Sequence, residues 1–176
     1  MNILTEMYRS PGVNLAGRTV YRTAVKGVIL RGNTLLLNHS SNAGHYDFPG
    51  GGLHEGETHS QGLYREILEE CGMSVAYMGS EIGAVIEYDF PMEPDYDVFK
   101  MTSHYYHCEV QEGVIPQKLE DYEQNLGLTP VWIEIEQAIQ ANKRFLQAGT
   151  APKWLKKETF VLEYIQQNLL TANTLP

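Results

Sequence analysis

The sequence predicts an α+β domain built in layers. Three observations lead there. β-rich runs open the chain, one strongly patterned helix interrupts them, and further strands precede C-terminal helices. At 176 residues the chain is the size of one domain, residues 1–176, and long enough to bury a sizeable core.

Met1 to Gly17 is mixed and turn-rich, and reads as a lead-in or an edge strand. Thr19 to Leu30 is β-rich and partly alternating; Arg31-Gly32-Asn33 is a turn, and Thr34 to Asn38 a second strand. Together they read as a hairpin. Ser40 to Gly44 is a loop, and His45 to Phe48 leads into Pro49-Gly50-Gly51-Gly52, where bare backbone can approach a ligand closely. Thr58 and Gln61 have capping-box spacing, so a helix is expected from Thr58 up to Gly72, a natural C′ residue. Leu63, Ile67 and Cys71 give that helix an apolar stripe, and Gly62 leaves room for close packing.

Beyond the helix, Ile82 to Tyr88 is β-prone, and Asp89 to Val98, with two prolines, is a loop. Asp95 and Asp97 read as solvated members of it. Phe99 to Val110 is a long strand, with Met101, Ser103, Tyr105 and His107 on one face. Met101, Tyr105 and Tyr106 are expected in the core. Glu112 to Leu128 is acidic and reads as irregular. Thr129 to Ile133 is a strand leading into a short helix near Glu134 to Asn142. Pro152 opens the last helix, whose apolar side carries Trp154, Leu155, Val161, Tyr164, Ile165 and Leu169.

A net charge of −9 argues against a large nucleic-acid footprint, which needs basic surface. A nucleotide substrate stays open, because a metal can supply the positive charge. Cys71 and Cys108 fit a reducing compartment and suggest neither a disulfide framework nor a zinc site. Met1 to Ser10 has no apolar signal-like region, and no run reaches membrane-spanning length, so a cytoplasmic protein is expected.

The patterned helix carries the chemistry. Glu66, Glu69 and Glu70 stand at i, i+3 and i+4, on one face within a single turn. Each like-charge pair costs about 0.2–0.5 kcal/mol. Carboxylates near a helix C-terminus also oppose the macrodipole, by roughly 0.3–1 kcal/mol each. Folding alone would not choose this arrangement. A hard divalent cation with oxygen ligands reverses the sign.

The stretch from Gly51 to Met73 resembles the Nudix box, G-x5-E-x7-R-E-U-x-E-E-x-G-U with U aliphatic. Gly51, Glu57, Arg65, Glu66, Ile67, Glu69, Glu70 and Gly72 occupy its positions, and Met73 is a loose final U. A chance match to its seven fixed letters is expected on the order of 1 in 10^6. The resemblance implies a mixed sheet sandwiched between helices. It also implies Mg²⁺- or Mn²⁺-dependent hydrolysis of a nucleoside diphosphate linked to another moiety. By the same resemblance Glu66, Glu69 and Glu70 are metal ligands, with Glu66 able to orient or deprotonate water. Glu57 and Arg65 hold the loop against the helix, and the Gly50 carbonyl adds a ligand.

Members of the family often add a carboxylate from a later loop. Glu120, Asp121 and Glu123 are the candidates, with no choice among them. Arg22 is the favoured basic contact to substrate from the first strand, and Gly51 is a second candidate for substrate binding. The coenzyme A and NADH subfamily patterns are absent outside the box, and Tyr88 and Pro91 match no other pattern cleanly. A small nucleotide derivative is the expected partner, with no nucleic acid or membrane. A homodimer through the N-terminal lead-in or the last helix is an option. The alternatives are a nucleotide-sensing module that does not cleave and, further off, an isomerase of prenyl diphosphates.

Overall fold

The computed structural model describes residues 1–111, 113 and 115–170. Seven strands form one mixed sheet: β1 (Ile3–Tyr8), β2 (Thr19–Arg31), β3 (Thr34–Ser40), β4 (Tyr46–Asp47), β5 (Val75–Asp89), β6 (Val98–Val110) and β7 (Leu128–Glu134). Their order is β1-β5-β6-β2-β3-β4, with β7 also paired to β3. The helices are α1 (His59–Cys71), α2 (Asp121–Leu126), α3 (Ile135–Ala148) and α4 (Leu155–Ile165), the last running into a π-helical segment, Gln166–Leu170.

The two faces of the sheet carry different helices, as alternation along the strands requires. Val25 and Ile29 of β2 and Leu36 of β3 pack against Leu63, Ile67 and Cys71 of α1. Val28, Leu35 and Leu37 face the other way, onto Ile135, Ala138 and Ile139 of α3 and Val161, Leu162 and Ile165 of α4. This is the expected sandwich. Burying Leu63 and Ile67 completely stabilises the α1 seat by roughly 1.5–3 kcal/mol for each side chain. The capping box forms as the sequence indicates. Gln61 N–H donates to Thr58 Oγ1 at 3.3 Å, Thr58 N–H donates to Gln61 Oε1 at 2.9 Å, and Gly72 closes the helix at φ 66°.

Several boundaries differ from the sequence expectation. The β2–β3 hairpin is only two residue pairs deep, Leu30 with Leu35 and Arg31 with Thr34. Below it the strands part, β2 to lie parallel to β6 and β3 to pair with β7. Strand β5 starts at Val75 rather than Ile82, because register shifts between Val75 and Gly83 break the alternation a strand is read from. The N-terminal lead-in is an edge strand, parallel to β5. Asp121–Leu126 is a helix where irregular chain was expected, although Glu112 lies outside the described residues. Its cap is Glu120, outside the usual Ser, Thr, Asp and Asn set. Helix α3 runs six residues past Asn142, and α4 starts three residues after Pro152. On the apolar side of α4, Val161, Leu162 and Ile165 are buried in the chain's own core. No helix among the described residues is long and apolar enough to cross a membrane.

Candidate active site

The glycine-rich loop runs beside β2 as an added strand would. Gly27 N–H donates to Pro49 O at 2.8 Å, Val25 N–H to Gly51 O at 3.0 Å, and Leu53 N–H to Thr23 O at 2.9 Å. Gly50 sits at φ 125°, and a Cβ there would stand 2.1 Å from Val25 O. A Cβ on Gly51 would meet the Glu66 carboxylate at 2.8 Å, and one on Gly62 would meet Leu53 Cδ2 at 2.2 Å. Glycine at these positions lets loop, strand and helix α1 close on one another.

The three box glutamates part company once α1 is seated. Glu70 is 4% exposed, and its Oε2 accepts from Gly50 N–H at 2.6 Å and Asn38 Nδ2 at 2.9 Å. Glu66 is 9% exposed and accepts from Arg65 Nη1 at 2.7 Å through Oε1. Glu69 is outermost, its side chain 37% exposed, 3.2 Å from the same Arg65 nitrogen. Arg65 also binds Glu57, through Nε at 2.8 Å and Nη2 at 2.9 Å, and the Gly52 carbonyl at 3.1 Å. Glu57 accepts a further bond from His54 N–H at 2.8 Å. The expected loop-to-helix pair is therefore present, as a hub in which one guanidinium serves three carboxylates.

Two cavities flank this ridge and share Gly51, Gly52, Met101, Tyr122 and Glu123 as walls. The outer one, about 260 Å³, is polar and takes in Arg22, His54, Glu66, Glu69, Lys118 and Glu120. The inner one, about 300 Å³, is more apolar, with Leu126, Leu128 and Trp154, and its charged lining includes Lys26, Asp47 and Glu70. Arg22 thus reaches the candidate site, where it also lies 3.5 Å from Glu93. Met101, expected in the core, borders both cavities; Tyr105 is fully buried as expected.

Of the three later acids, Glu123 faces both cavities, Glu120 only the outer one, and Asp121 neither. Glu123 is 4% exposed and is held by Tyr122 OH and Glu120 N–H, each at 2.8 Å. The segment before α2 explains its placement. Ile115 N–H donates to Gly72 O and Lys118 N–H to Glu69 O, each at 2.8 Å, and Gln117 Nε2 donates to Glu70 O. These donors satisfy carbonyls that the end of α1 leaves open, so the strap crosses the helix terminus and lowers α2 over the cavity.

The residues that sequence reading missed are Lys26, Asp47 and Asn38. Lys26 Nζ donates to Phe48 O at 2.9 Å and to Gly50 O, and lies 3.7 Å from Asp47 Oδ2. Burial works against its charge, but the carboxylates of Glu158, Asp47, Glu70 and Glu66 outweigh that and raise its pKa. No spacing signal could have linked these positions to the box, since strand pairing alone brings them there.

Burial pushes the Asp47 carboxyl from 3.8 up to about 7 and that of Glu70 from 4.5 up to about 8. Glu66 is raised by the same cause, against the pull of Arg65. Glu57 moves the other way: hydrogen bonds from Arg65 hold it at about 2. For Asp47 and Glu70 the folded chain binds more protons than the unfolded chain above pH 4, so their contribution is complete below their ordinary values. It is lost progressively as pH rises from there to about 7 to 8. Glu57 contributes stability above 4.5 that is lost as pH falls towards 2. In chelator, the melting temperature is therefore expected to fall from mildly acidic pH to pH 8.5. A flat or rising profile in thermal melts would contradict this electrostatic account.

The donor set suits a hard divalent cation, because Glu66, Glu69, Glu70, Glu123 and the Gly50 carbonyl offer only oxygen. Among the described residues no three His, Cys, Asp or Glu side chains already stand in a ligating arrangement. Each carboxylate is instead engaged by a hydrogen-bond donor of the chain. Arg65 holds Glu66 and Glu69, Asn38 and Gly50 hold Glu70, and Tyr122 holds Glu123.

Compared with known proteins, the family model described as NUDIX domain matches residues 20–155. An RNA pyrophosphohydrolase of Helicobacter pylori (strain P12) is 32% identical over 85 residues, 45% of this chain and 55% of that protein. One of Sulfurovum sp. (strain NBC37-1) is 48% identical over 46 residues, 26% of this chain and 29% of that protein. The chain thus spans about half or less of the length of these curated relatives. Among solved structures, a NUDIX hydrolase from Nitrosomonas europaea aligns with TM-score 0.57 at 19% identity, covering 84% of this chain and 90% of that one. The E. coli ORF135 protein aligns with TM-score 0.55 at 19% identity, covering 83% and 91%. These two structures share the fold.

Proposed function

Because the chain belongs to the NUDIX family, we propose that it hydrolyses the pyrophosphate linkage of a small nucleoside diphosphate derivative with the help of Mg²⁺ or Mn²⁺. The observation that carries this reading is the pair of cavities meeting at Gly51, Gly52, Met101, Tyr122 and Glu123. One side is polar and charged, suited to a phosphate chain. The other has Trp154, Met101 and Tyr122 along a more apolar space whose lining also carries Lys26, Asp47 and Glu70, suited to a flat base with polar edges.

Glu66, Glu69, Glu70, Glu123 and the Gly50 carbonyl would hold the cation. When bound, it supplies screening of phosphate charge and acidifies water. The chain's own residues do the rest. Arg65 and Glu57 clamp the glycine loop to α1, so the carboxylates stay aimed at the cleft. Arg22 and Lys118 line the outer cavity, where they can bind phosphate oxygens as charge builds there. Glu66 Oε1 is tied to Arg65, which leaves Oε2 to orient or deprotonate the attacking water.

A panel of ADP-ribose, nucleoside triphosphates, dinucleoside polyphosphates and a 5′-triphosphorylated oligoribonucleotide, read by released phosphate products, tests the reading. Turnover of a small nucleotide with Mg²⁺ or Mn²⁺, abolished by chelator, is expected. The oligoribonucleotide is included because the relatives above are RNA pyrophosphohydrolases; the chain's net charge of −9 weighs against it. Tight nucleotide binding without cleavage in the presence of metal would instead make the domain a sensing module.

A further inference from the structure

Lys26 occupies the position where the cation reading needs an oxygen free. Its ammonium donates to Gly50 O, while the amide of the same residue donates to Glu70 Oε2 at 2.6 Å. Gly50 therefore couples a lysine on β2 to a glutamate on α1. A second carbonyl, Phe48 O, takes the ammonium at 2.9 Å, and Asp47 Oδ2 stands 3.7 Å off. An ammonium and a divalent ion compete for the same kind of partner, oxygens carrying negative charge. On one carbonyl they would also repel each other at short range.

We propose that Lys26 is a place-holding cation, which keeps the Gly50 loop assembled in the metal-free chain and yields the Gly50 carbonyl to an incoming divalent ion by shifting onto Asp47. This rests on the metal-dependent reading above. Lys26 is a positioning residue in this scheme and touches no reacting atom. Asp47 has a defined part as well: it is the nearby carboxylate that receives the ammonium.

Calorimetric titration of the full chain with Mn²⁺, together with melting in chelator and in Mn²⁺, tests the idea without reference to turnover. Lys26→Met keeps the apolar stem and removes the charge. It is expected to melt lower in chelator and to bind Mn²⁺ about tenfold more tightly or better, the factor one close charge repulsion supplies. A lysine that was merely structural would, when replaced, weaken Mn²⁺ binding or leave it unchanged, and either result overturns the proposal. Asp47→Asn is expected to act oppositely, weakening Mn²⁺ binding while remaining folded, and it decides the matter if Lys26→Met does not fold. Unchanged Mn²⁺ affinity in Asp47→Asn counts against the shift. If the unaltered chain binds no Mn²⁺, the metal-dependent reading falls and this proposal with it; if it binds and the variants do not diverge, only this proposal falls.

Discussion

Replacing Glu70 by Gln is expected to lower kcat/KM by about 10²–10⁴-fold, the range in which a single electrostatic or proton-transferring group matters. Both bonds to the Glu70 carboxylate end on one oxygen, Oε2, from Gly50 N–H at 2.6 Å and Asn38 Nδ2 at 2.9 Å. A glutamine can present its amide oxygen to both donors, so the glycine loop stays in place. What disappears is a charge that burial already disfavours, as the rise of its pKa to about 8 reflects. The melting temperature in chelator at pH 8 should therefore hold or rise while turnover collapses. Steady-state kinetics beside a thermal melt separates the two, and equal turnover by both proteins would remove Glu70 from the mechanism.

The largest loss of stability is expected at Lys157 of α4, which lines the inner cavity together with Glu70. This residue is 4% exposed, and its ammonium donates to Ser103 Oγ at 3.0 Å, with Glu87 at 3.2 Å and Glu158 at 3.3 Å. In Lys157→Met, Glu87 keeps its two-point pairing with Arg9, at 2.9 and 2.7 Å. Glu158 is left with Phe48 N–H and Tyr105 OH, each at 3.3 Å, and with no cation within 4 Å among the described residues, Lys26 acting on it from farther off. Breaking a buried pair from one side costs about 3–5 kcal/mol. At roughly 2–4 °C per kcal/mol for a chain of this size, the melting temperature should drop by about 6–20 °C. Lys143→Met is the comparison. Its bond to Glu163 is shorter, 2.6 Å, but lies in solvent, and its loss should barely register. Similar melting temperatures for the two variants would mean that the Lys157 network is not the clasp that the geometry indicates.

Legibility followed the range of the interactions. The box from Gly51 to Met73 is local, so its spacing, its capping box and its terminal glycine could all be read along the chain. Alternation in β2 and β6 was readable for the same reason. The bulged start of β5 was not, because register shifts hide the period, and α2 was not, because a glutamate caps it. Glu120, Asp121 and Glu123 are indistinguishable as letters. Only the strap across the end of α1 turns Glu123 into the cavity and leaves Asp121 outside it.

By itself, the order of residues determined the family, the layered fold and the presence of three carboxylates on one turn of helix, since each is written in short-range spacing. Tertiary structure alone decided which of those carboxylates is dry, what holds it, and where a lysine sits among them. Lys26 meets Gly50 across 24 positions and Glu158 meets Phe48 across 110, distances that only the pairing of strands and the packing of α1 and α4 can close. Burial and charge depend on those closures, and so therefore do the proton affinities on which the chemistry turns.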